Sequence, residues 1–96
     1  MKQMTDIKTL REKTAEMVMV LDENKAEGWA TYFAKALEKL SYEDVSGAKD
    51  ILGAYGGMGS FNDFGLQDPK AEIKRQKISS EMYIMAQRVW GEYGHA

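Results

Sequence analysis

Cysteine is absent from this chain, proline occurs once (Pro69) and histidine once (His95). Without cysteine there is neither a disulfide framework nor thiolate chemistry, an economy that fits a reducing cytoplasm. With one histidine and no Glu-x-x-His spacing, the carboxylate di-iron bundle is excluded in its usual form, and a zinc site would rest on carboxylates alone. His95 lies one residue from the end, a poor place for a catalytic base. No run approaches the roughly 18 apolar residues of a membrane span, and the first eight residues hold no apolar core of a signal peptide. Alternating β-branched runs are missing too, so nothing reads as a strand.

What is present is helical periodicity over 96 residues, enough for one domain (1–96). Ile7, Leu10, Thr14, Met17, Val18 and Leu21 share one face, predicting a first helix over roughly residues 5–21, capped by Thr5 or Thr9. Asp22-Glu23-Asn24 reads as the break. A second helix, to about Leu40, carries Ala26, Trp29, Ala30, Phe33, Leu37 and Leu40; one helix over 5–40 is the alternative. Gly28 costs helix stability, unless it admits a neighbouring backbone beside Trp29. After Ser41-Tyr42-Glu43, a short third helix capped by Asp44 or Ser46 turns Ala48, Ile51, Leu52 and Tyr55 inward and stops at Gly56. Asp68-Pro69 is a strong start signal for a last helix over 69–92, with Ala71, Ile78, Met82, Met85, Val89 and Tyr93 inward, Arg75 snorkelling, and Ile73 and Trp90 off the seam. The fold class is all-α: a compact bundle or array of about four helices with one glycine-rich loop before the last.

That loop, Gly56-Gly57-Met58-Gly59-Ser60-Phe61-Asn62-Asp63, has three glycines in four residues. It fails as a phosphate cradle, because no lysine precedes Ser60. A dinucleotide fingerprint would need glycine where Asn62 stands, and a strand before the loop. An EF-hand would need alternating oxygens, and only Asn62 and Asp63 are present, side by side. Ser60 has no histidine partner and is no triad nucleophile. The loop reads instead as a folding element. Gly56 ends a helix, Gly57 and Gly59 admit positive φ, Met58 and Phe61 plug the bundle end, and Ser60 to Asp63 has capping-box spacing, with a helical turn over 61–66.

The run Trp29…Phe33…Ala36-Leu37, then Ser46-Gly47…Ile51-Leu52-Gly53-Ala54-Tyr55 and the motif itself, resembles a family of small uncharacterised bacterial proteins. Their shared mark is Gly-Gly-Met-Gly-Ser-Phe-Asn-Asp, followed by a short apolar stretch and a final amphipathic helix. The resemblance implies fold more than activity. This chain departs from it at Phe64-Gly65-Leu66, where a continuous apolar, strand-like segment is expected.

Charge is uneven. Residues 21–68 carry nine anions against four cations, whereas residues 69–96 carry five cations against three anions. An acidic middle repels phosphate, so nucleic acid is not the expected partner. It suits a basic protein instead. The expected function is a non-enzymatic, cytoplasmic protein-binding module of the immunity or antitoxin type, blocking a bacterial toxin, a nuclease, with no cofactor, metal, nucleic acid or membrane involved. The contact residues expected are Asp22, Glu23, Glu27, Tyr32, Glu43, Asp44, Asp50 and Asp63, with Tyr42 and Tyr83 as further exposed aromatics. The alternatives are a structural or regulatory homo-oligomer, in which the seven methionines and the tyrosines supply contact, and a small-ligand binder or enzyme using the glycine-rich loop.

Overall fold

The computed structural model describes the backbone of residues 2–56 and 59–93 and the side chains of residues 6–56 and 59–92. Gly57, Met58, His95 and the side chain of Tyr93 lie outside the described residues, and with them the expected Met58 plug. Among the described residues four helices follow one another: α1 (Lys2–Glu23), α2 (Glu27–Ser41), α3 (Ser46–Leu52) and α4 (Pro69–Tyr93). A single 3-10 turn, Phe61–Asp63, precedes α4, and no strand occurs among the described residues. The all-α expectation holds.

The helix ends differ from the expected ones for local reasons. Neither Thr5 nor Thr9 caps α1, which already runs from Lys2 and contains both. Lys2, Gln3 and Met4 are good helix formers and nothing there stops the helix. Asp22 and Glu23, expected as the break, are its last turn. The break falls at Asn24-Lys25, where the Ala26 N–H donates to the Leu21 carbonyl (2.8 Å) and the Lys25 N–H to that of Asp22 (3.2 Å). This is a Schellman ending with Lys25 at φ 62° in the place glycine usually takes. The Asn24 carboxamide adds a bond to the Val20 carbonyl (2.7 Å). α2 ends the same way: Asp44 N–H to Lys39 (2.9 Å), Glu43 N–H to Leu40 (2.9 Å), and Glu43 at φ 59°. Two helices with a built stop between them replace any single helix over 5–40.

α3 is shorter than expected. It ends at Leu52 with Gly53 as its right-handed C-cap, and two tight bonds, Ala54 N–H to Ile51 and Tyr55 N–H to Leu52, carry the chain on to Gly56. Gly56 does take positive φ, 95°, but it closes that turn rather than the helix.

α1 packs on α2 and α4, and α3 packs on the same two. α1 and α4 run antiparallel, pinned by Lys13 to Glu81 (3.2 Å) near the middle and Arg88 to Asp6 (3.5 Å) at one end. The core joins Leu10, Met17 and Leu21 of α1, Phe33 and Leu40 of α2, Ile51 of α3, Phe61, and Ile78, Met82 and Val89 of α4. Thr14 is buried with them, and its hydroxyl donates to the Leu10 carbonyl at 2.7 Å, so no polar group is stranded. Ala36 and Ala86 are buried although the expected stripes omitted them, while Val18, Ala26, Trp29, Leu37, Ala71 and Met85 are only half-buried.

Small residues set the distance between α2 and α3. A Cβ at Gly47 would lie 2.7 Å from the Ala36 carbonyl oxygen and 2.8 Å from Leu40 Cγ. Gly28, by contrast, has nothing within 4 Å of such an atom, so no backbone approaches beside Trp29. The two glycines therefore respond oppositely to alanine. Gly47→Ala is expected to cost about 1–3 kcal/mol through overpacking against backbone, and Gly28→Ala to gain roughly 0.5 kcal/mol through propensity. Urea unfolding of both variants checks the pair, and equal midpoints would contradict it.

Candidate functional site

The glycine-rich loop is built around Phe61. Its N–H donates to the Ala54 carbonyl (2.8 Å), tying the loop back to the end of α3. Gly59 takes φ 76°, and the Asp63 carboxylate accepts its N–H (3.0 Å). The Ser60 hydroxyl accepts the Asn62 N–H (3.3 Å). This differs from the expected capping box by one position: Asp63 reaches past Ser60 to Gly59, and the turn closes after Asp63 instead of running to residue 66. Residues 64–66 form no strand.

Phe61 is fully buried, with ring centroids at 5.0 Å from Trp29, 4.9 Å from Phe33, 6.0 Å from Tyr55 and 5.9 Å from Phe64. The Arg75 guanidinium lies 4.9 Å above it and 5.7 Å from Phe64. Arg75 is thus not a snorkelling residue; it is 5% exposed. Its charge is met by Glu72 through two parallel bonds, Nε to Oε1 (2.6 Å) and Nη2 to Oε2 (2.7 Å). Glu72 also accepts the Leu66 N–H and the Gln76 carboxamide, each at 2.8 Å. The Arg75 bonds first, then those from Leu66 and Gln76, outweigh burial and hold the Glu72 carboxyl down at about 2. Asp68 caps α4 through the Ala71 N–H (2.8 Å), with Pro69 at its first position, as the sequence indicates.

The acidic residues expected to meet a partner do not form one patch. Asp22, Glu23 and Glu27 are exposed at the turn between α1 and α2, without an ion pair among the described residues. Glu43 and Asp44 are exposed at the other end of α2, whose 15 residues span about 22 Å. Asp44 is engaged locally: its carboxylate accepts the Ser46 N–H (3.0 Å), and bonds from Ser46 hold its pKa down. Asp50 is half-buried and paired with Lys39 (2.7 Å). Tyr32 straps α2 to α3, its hydroxyl donating to the Asp50 carbonyl; burial first, then the Asp50 charge, pushes its pKa up. Asp63 is spent on the loop. Tyr42 is 80% exposed, but Tyr83 is half-buried, edge-on to Tyr55 at 4.8 Å.

Two of these carboxylates do come together. Asp22 and Glu27 rim a groove of about 450 Å³ between α1 and α2, whose other lining residues are Val18, Ala30, Thr31 and Ala34. A second feature is a cleft of about 340 Å³ beside the glycine-rich loop, where Gly56 and Asn62 of the loop are joined by Tyr55, Ser79, Ser80 and Tyr83, walls that sequence reasoning missed. There the Tyr55 hydroxyl and Ser79 Oγ lie 2.8 Å apart, and burial raises the Tyr55 pKa. The one hint in the sequence is the Ser79-Ser80 pair, weak helix formers in mid-helix. No group of three His, Cys, Asp or Glu residues suited to a metal occurs among the described residues. No helix among them is long and apolar enough to cross a membrane.

A family model described as "Domain of unknown function (DUF6966)" matches residues 22–74, from the last turn of α1 into the start of α4. No curated protein and no solved structure matches the chain.

The Glu72–Arg75 pair makes loop attachment depend on pH. The Glu72 carboxyl titrates near 2 in the folded chain, below its ordinary 4.5. Its stabilisation is therefore complete above about pH 4.5 and is lost as pH falls through about 2. Glu72→Gln is expected to cost roughly 3 kcal/mol at neutral pH by stranding a buried cation, with the gap to the parent closing between pH 4.5 and 2. Urea midpoints across that range test it; a gap independent of pH would contradict it.

Proposed function

This chain belongs to the family described as Domain of unknown function (DUF6966), and we propose that it is a non-enzymatic protein-binding module of the immunity or antitoxin type. In this reading it acts in the cytoplasm and blocks a basic bacterial toxin domain, a nuclease, by covering it. The observation that carries the reading is the α1/α2 groove. Asp22 and Glu27 are exposed there and in no ion pair among the described residues, and Val18, Ala30 and Ala34 line the groove beside them. Unneutralised carboxylates over small apolar side chains fit a protruding arginine or lysine whose stem packs on the floor and whose head meets the rim. Glu38, exposed on α2 and eleven residues beyond Glu27, extends the negative charge along the same flank.

A nuclease surface must present cations to a phosphate backbone. A carboxylate-lined surface offers those cations the same sign of charge without a scissile bond. Binding then blocks access sterically, and its rate and strength fall with salt. Glu43 and Asp44, beside the exposed Tyr42, supply a second and separate acidic point at the far end of α2.

The test is calorimetric titration against the protein encoded by the neighbouring gene in the native host. Expected are salt-sensitive binding and inhibition of that protein's nuclease activity, with D22K/E27K weakening affinity by about 100-fold while circular dichroism stays unchanged. Absence of binding, or full affinity in D22K/E27K, would remove the support for this reading.

A further inference from the structure

The outer ridge of α4 is unusual for an exposed helix. Ile73 and Ile84 are 69% and 57% exposed. With Lys77 and Ser80 they follow the spacing that places residues on one line of a helix, the two isoleucines about 16 Å apart. Lys70, Lys74 and Lys77 flank or lie on this line, all exposed and none in an ion pair among the described residues. Glu23 faces Lys70 and Lys74 across a shallow groove without closing a salt bridge. The ridge is apolar and cationic, the converse of the α1/α2 groove, which is apolar and anionic.

We propose that the α1/α2 groove of one molecule receives the α4 ridge of a second copy of this chain. Charge complementarity selects the occupant. The ridge offers Lys70, Lys74 and Lys77 beside isoleucine, and the groove offers Asp22 and Glu27 above Val18, Ala30 and Ala34. The contact cannot form within one molecule. α1 uses one flank for the groove, through Val18 and Asp22, and another for α4, through Lys13 and Glu81, so the helix stands between groove and ridge. The pairing joins different patches on the two copies, a heterologous contact. It rests on the same groove as the reading above and competes with it: a toxin domain that fills the groove displaces the second copy.

Sedimentation equilibrium of the whole chain over a range of concentrations, at low and high ionic strength, tests the proposal. The average mass is expected to rise above that of the monomer with concentration at low salt and to return to it at high salt. K74E/K77E and D22K/E27K are each expected to weaken self-association at least about tenfold, and combining all four changes in one chain restores it, because groove and ridge have exchanged sign. These substitutions sit on exposed helical positions, and circular dichroism verifies the fold. A monomer at every concentration overturns the proposal, as does self-association indifferent to K74E/K77E. A parent that stays monomeric yet binds anionic vesicles more tightly than K74E/K77E does overturns it too, assigning the ridge to a membrane surface. Toxin binding depends on the groove alone, so K74E/K77E leaves it intact, and failure of self-association is read separately from failure of the partner reading.

Discussion

The guanidinium of Arg75, held over the Phe61 ring and locked to Glu72, is the interaction on which the rest of the fold depends. A cation taken from water is expensive unless its charge and its donors are met. Here the carboxylate meets the charge through two bonds, and two aromatic faces fill the space around the plane. Phe61 in turn is where the elements converge: Trp29 and Phe33 from α2, Tyr55 and the Ala54 carbonyl from the end of α3, and Arg75 from α4. Glu72 extends the same lock to the loop through the Leu66 N–H. One ion pair therefore fixes both the inner face of the loop and its departure into α4.

α3 shows why such fixing is needed. Seven residues are too few to hold a helix in water on their own. Tyr32 and Lys39 bind it from α2, through the carbonyl and the carboxylate of Asp50. Gly47 lets it settle against Ala36 and Leu40, and the Asp44 carboxylate accepts the N–H of its first residue, Ser46, although the N-cap itself is Val45 and not the expected Asp44 or Ser46. Asp44 and Asp50 are thus engaged in holding α3, whereas Asp22 and Glu27 line the α1/α2 groove in no ion pair among the described residues.

Periodicity and punctuation made much of the fold legible. Four helices, the Asp68-Pro69 start, the positive φ of Gly56 and Gly59 and the burial of Phe61 are all written in local pattern. Other features depend on partners distant in the chain. An arginine in an apolar stripe reads as a polar interruption, and only Phe61, Phe64 and Glu72 in place around Arg75 turn it into a core residue. Lys25 and Glu43 give no sign of left-handed backbone, because the bonds that hold them there come from the preceding helix turn and not from their own side chains. The candidate interface was legible in part. Asp22 and Glu27 are close in sequence and remain close in space, but Glu43 and Asp44, counted with them, are carried a helix length away. The Tyr55–Ser79 contact joins residues 24 apart, and nothing local announces it.

The antiparallel register of α1 and α4 has a consequence for how this fold can be joined to others. Asp6 touches Arg88, so the beginning of α1 and the closing turns of α4 emerge side by side. Asp22 lies sixteen residues further along α1, about 24 Å away. Sequence appended at either terminus would leave from the same pole of the molecule, and the carboxylate groove would stay clear at the other. The chain is thereby suited to insertion into a host domain through two neighbouring linkers, or to tethering from one side with its charged pole directed outward.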